Sequence, residues 1–298
     1  MVPQAGHRGG SARSRIQFAA DLNGIASDCI PALSRWLRRR TSAKVHTPLF
    51  DHDLLAVRRD RATKLGVETF LYDRVFEDCL DRIADVQRIF SNGLLAGCPD
   101  PSWPGRLALR RIEVIDPGPL MASGAGGRRA DIECLPYEAG QFDLCLSIGL
   151  LDTANNLPLA AAALYLVLEP GGLLIGAIPG GQGLPRLRSA MLAADAVAGQ
   201  ASPHTHPRIE APALARLLSE AGFREPVVDI DRAEVAYRSL DALVHDLRAM
   251  GTTNVLSARS RRPLGREALE AARGAFLDNN ERVIEQVEVL HFAAWKAV

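Results

Sequence analysis

The sequence predicts an α/β fold: a doubly wound sheet, mostly parallel, with an antiparallel edge strand and helical additions at the N- and C-terminal ends. Three observations carry this expectation. Phe142–Ile148 and residues 173–178 are short β-prone runs, apolar on both faces, as parallel strands covered by helices on each side must be. Between them, residues 157–168 are rich in Ala and Leu, a helix-forming composition that Pro170-Gly171-Gly172 brings to a stop. Apolar runs and amphipathic stretches then alternate along the chain, the pattern of βαβ units.

The 298 residues, 47% of them hydrophobic, suffice for one large α/β domain or two small ones. Lysine and arginine number 35 and acidic residues also 35, a balance that gives no sign of nucleic acid or an acidic polymer as partner. The five cysteines (Cys29, Cys79, Cys98, Cys134, Cys145) lack paired spacing and read as reduced thiols in a cytosol-like compartment. No apolar run reaches the roughly 20 residues that a membrane helix needs.

Residues 1–47 are expected to form a poorly ordered basic tail, with a short helix over 21–40 around Trp36. Their arginine-rich, acid-poor composition also matches a transit peptide. The location expected is therefore cytoplasmic, with a mitochondrial alternative. One α/β unit is expected over 48–298, with 48–90 as an N-terminal helical cap and 91–298 as the core with helical insertions. In the cap, FDHDLLAVRRDR alternates charge and apolar residues at helical spacing, and residues 67–90 place Leu71, Val75, Cys79 or Leu80, Ile83 and Val86 on one helical face. Residues 93–98 predict the first strand, and 112–115 a second that ends at Asp116. Residues 130–137 predict a short edge strand and a turn. Beyond Gly180, apolar spacing predicts helices over 184–197, 214–221, 240–250 and 265–280, a strand over 226–230, and an antiparallel edge strand over 283–295.

This order of pieces resembles the class I S-adenosylmethionine-dependent methyltransferases: a strand ending in Gly97-Cys98, a strand ending in Asp116, the LPY turn, the FDL strand and a helix ending in LEPGG. FDHDLLAVRRDRA and AGFREPVVDIDRAEVAYRSLDALVHDLRAMGTTNVL are similar to the branch of complex I assembly factors once taken for methyltransferases, over about residues 49–298. The malonyl-carrier-protein methyltransferases resemble it more distantly. The resemblance implies S-adenosylmethionine as cofactor, Gly97 and Cys98 beside it, Asp116 on the ribose hydroxyls, and Asp131 and Ile132 flanking adenine. It implies a substrate-facing loop with Asp152 and Asn155, and His204 near the mouth. The branch implies a protein substrate or a respiratory-complex subunit as partner.

The sequence departs from the family in the first loop. Where the pattern asks for an acidic residue and then Gly-Cys-Gly-x-Gly, this chain has Leu95-Ala96-Gly97-Cys98-Pro99-Asp100-Pro101. Proline has no N–H and a fixed φ, so the usual backbone surface for a cofactor is lost. Two functions follow: a methyltransferase with weakened or lost cofactor binding and an unknown acceptor, or a non-methylating assembly factor (or protein-arginine-modifying factor) for respiratory complex I. His204-Thr205-His206 lacks the further ligands of a metal set, so no metal is expected.

Overall fold

The computed structural model describes residues 48–277 and 282–298. The basic stretch 1–47 and its expected helix lie outside the described residues. The chain forms α1 (His52–Leu65), α2 (Phe70–Asp85), β1 (Asn92–Ala96), α3 (Trp103–Arg106), β2 (Arg111–Asp116), α4 (Pro119–Gly124), β3 (Arg128–Arg129) and β4 (Phe142–Ile148). A 3-10 turn (Leu151–Thr153) leads to α5 (Leu157–Val167), β5 (Leu168–Pro179), α6 (Pro185–Ala198), α7 (Ala211–Ala221), β6 (Phe223–Tyr237), α8 (Leu240–Ala249), α9 (Arg266–Phe276) and β7 (Val283–Lys296).

The strands form one seven-stranded sheet in the order β3-β2-β1-β4-β5-β7-β6. The first five are parallel, and β7 runs antiparallel to both β5 and β6. The antiparallel end of the sheet is thus a ribbon, with β7 paired on both sides and β6 outermost. Every residue of β4 is buried, and its side chains divide between two cores. Phe142 and Cys145 join α5 and α7 on one side; Leu144, Leu146 and Ile148 join α2 on the other. The one carboxylate of β4, Asp143, is buried because it accepts the Ser91 and Asn92 amides at 2.6 and 2.9 Å, fixing the entry to β1.

Three local expectations change. Pro170-Gly171-Gly172 is a bulge inside β5 and not a turn between helix and strand. Leu168 already pairs with Phe142, and the register resumes at Leu173 with Leu144; Gly171 takes φ +75° to absorb the extra residues. The edge strand near 130–137 is confined to Arg128–Arg129. Asp131 Oδ1 accepts the Glu133 amide at 2.9 Å and turns the chain off the edge. Cys79, Cys98 and Cys145 are buried free thiols, but Cys134 is disulfide-bonded, which no spacing in the sequence announces.

Candidate functional site

The carboxyl ends of β2 and β4, where a doubly wound sheet has its ligand crevice, face α1. Its leading segment is held firmly. Phe50 bridges Leu256, and Asn155 clasps the Phe50 backbone, accepting from its N–H at 2.7 Å and donating to its carbonyl at 3.1 Å. Asp51 caps the helix by accepting the Leu54 amide at 3.0 Å.

From this position α1 engages the acidic residues that the sequence marks out. Asp116 is fully buried, and Arg59, 1% exposed, donates to both of its oxygens, from Nε at 2.7 and 2.9 Å and from Nη2 at 2.6 Å. The Gly118 amide adds a further donor to Asp116 at 2.9 Å. Burial opposes the charge on Arg59, and the nearby Asp116 outweighs it, so the guanidinium is held more tightly protonated than usual. One turn of chain away, the Leu120 amide donates to Asp60 at 2.8 Å. At the start of the helix, His52 Nδ1 lies 3.1 Å from Asp131 and Nε2 lies 3.1 Å from the Thr153 carbonyl. The bond to Asp131 pushes the His52 pKa up to about 9, against the effect of burial. His52, Asp131 and Glu133 are close enough together to suggest a cation site. With the ring protonated, the state that Asp131 favours, the trio is an ion-paired latch between the start of α1 and the turn after β3.

The first loop is folded on itself. Gly97 takes φ +90°, and a Cβ there would lie 2.0 Å from the Ile148 carbonyl oxygen. Pro99 and Pro101 have no N–H to offer. The amides of Gly97, Ser102 and Trp103 are committed to Ile115 and to Asp100. Cys98 Sγ lies 3.1 Å from the Asp100 carbonyl, and burial pushes its pKa up to about 12. Trp103 is fully buried, stacked on Phe76 of α2 at 4.3 Å. Beside α1 a pocket of about 230 Å³ remains, walled by His52, Pro117, Arg129, Asp131, Ile132 and Thr153.

The structure therefore brings Gly97, Cys98, Asp116, Asp131 and Ile132 to one end of the sheet. Asp152 stands on the 3-10 turn with Oδ1 buried and no partner among the described residues. Asn155 is used in holding the Phe50 segment. His204 is turned onto Asp195 of α6 at 2.8 Å, while its neighbour His206 reaches the Val255 amide at 3.1 Å. Sequence reasoning missed His52, Arg59 and Arg208, and weighed His206 only as a metal ligand. For Arg59 a signal existed: it falls on the buried helical face with Leu55 and Ala62, where an unpaired cation has no place.

A family profile described as "Methyltransferase domain" matches residues 105–176. Arginine-hydroxylase NDUFAF5, mitochondrial, of Danio rerio is 30% identical over 277 residues, 87% of this chain and 86% of that protein. A malonyl-[acyl-carrier protein] O-methyltransferase of Laribacter hongkongensis is 31% identical over 169 residues, 56% of this chain and 55% of that one. Among solved structures, the YcgJ protein of Bacillus subtilis has a TM-score of 0.51 at 9% identity, covering 75% of this chain and 98% of its own. Sheet order, profile and site position define a methyltransferase-like protein of the class I S-adenosylmethionine-dependent superfamily. Within it, the chain belongs to the NDUFAF5 family.

Proposed function

We propose that this chain is a methyltransferase-like assembly factor that acts on a protein partner and whose expected ribose-binding carboxylate, Asp116, is covered by its own helix α1. The carrying observation is Asp116. The carboxylate that the family offers to ribose hydroxyls is fully buried, with both oxygens taken by Arg59. The residues present do not fit S-adenosylmethionine as they stand: Asp116 and Asp131 are engaged from within, and Pro99 and Pro101 remove donors from the first loop. The relatives' names support a protein partner and favour the mitochondrial alternative over a cytoplasmic location, as does the arginine-rich stretch 1–47. Among the described residues no helix is long and apolar enough to cross a membrane. A respiratory complex I subunit is the partner that the resemblance implies.

Calorimetric titration of the full chain with S-adenosylmethionine and S-adenosylhomocysteine is expected to show no saturable heat up to about 1 mM, weaker than ~4 kcal/mol of binding. Micromolar binding overturns the closed-site reading. A tagged chain recovered from its own cells should bring a complex I subunit with it; recovery without one, alongside measurable methyl transfer, would favour the enzyme.

A further inference from the structure

The loop from α6 to α7 crosses the same end of the sheet, tied to β5 by the Gly180–Ile209 bridge. It carries His206 and Arg208 to a cavity of about 510 Å³, open to solvent, whose other walls include Arg188, Leu49 and Leu256. Neither Nε nor Nη1 of Arg208 is reached by solvent, and neither meets an acceptor among the described residues. Arg188 of α6 is in the same position at Nε, although its Nη2 donates to the Gly181 carbonyl at 2.9 Å. His206 accepts the Val255 amide on Nε2 at 3.1 Å, so the neutral ring keeps its proton on Nδ1 as a free donor. Burial favours that neutral form; the charge of Asp152 opposes it and that of Arg208 adds to it.

Dry guanidinium N–H groups without acceptors are costly, and a folded chain rarely keeps them unless something outside the chain completes them. We infer that this cavity is an oxyanion-binding site, taking a carboxylate or phosphate group of a ligand on Arg208, with Arg188 and His206 as flanking donors. Glu210 stands among the cavity's walls and is exposed. The charge of Asp152 reaches both His206 and Arg208, and its own Oδ1 is dry and unpaired. The inference does not depend on whether a cofactor binds.

Calorimetry on the full chain at low ionic strength, with inorganic phosphate in one arm and acetate in the other, tests it and separates the two oxyanions. Saturable binding of either probe is expected, weakened about 10-fold or more in Arg208→Gln and less in Arg188→Gln. Arg216→Gln, an exposed arginine of α7 with 77% of its side chain accessible, should bind as the wild type does. Equal affinity in the Arg208 and Arg216 variants overturns the site, as does absence of saturation by both probes at about 50 mM. Should Arg208→Gln fail to fold, the His206 ring resonances of the wild type provide the second reading. They should shift on adding the probe, and resonances that stay fixed refute the assignment.

Discussion

Arg59 and Asp116 lie 57 residues apart in sequence and are both withdrawn from water. Each charge alone would cost several kcal/mol to bury; together, with the Gly118 amide, their hydrogen bonds are met. Removing one partner strands the other. Arg59→Met should lower unfolding stability by about 3–5 kcal/mol, and Arg59→Met combined with Asp116→Leu should recover much of that loss, as read by urea denaturation. His52 gives a pH dependence. Its folded pKa, about 9, is raised from an ordinary 6.5. The stability it contributes is present in full below pH 6.5 and is lost as pH rises through 9. The thermal midpoint should fall across that window in the wild type and fall less in His52→Gln.

At the scale of the element, α6 shows how a strand can start a helix. Its N-cap residue, Leu184, takes φ +60° and provides no side-chain cap. Glu285 of β7 serves instead: fully buried, it accepts the amides of Arg186 and Leu187 at 3.2 and 2.8 Å. Burial pushes its pKa upward, while the amide bonds pull the other way. Glu285→Ala should cost about 1–3 kcal/mol, measured by chemical denaturation, with fraying of the first turn of α6 visible in amide exchange. Gly97 is instructive in the same way. The sequence marks it as a position of close backbone approach to a ligand, whereas the close approach observed is to the Ile148 carbonyl of the neighbouring strand. The residue type was legible, and what the backbone approaches was not.

For the whole molecule, the sheet was readable because each of its signals is local. Phe142–Ile148 is apolar on both faces, and the alternation of strands and helices needs only neighbouring residues to be seen. The closing of the site was not readable, because it pairs α1 with β2 and with the turn after β3, across long stretches of chain. Asp116 and Asp131 could be picked out by their places in a pattern; nothing nearby said that Arg59 and His52 would reach them. The same holds for Arg208, whose significance lies in the partners it lacks.

The position of β7 bears on how the chain is made. It follows β6 in sequence but lies between β6 and β5, so the outermost strand has no hydrogen-bonding neighbour until the last one exists. While the chain is being synthesised, β6 waits with both edges open and so does the free edge of β5. The sheet is complete only once Val283–Lys296 pairs with both, and until then those β-edges are open to any neighbour able to pair with them.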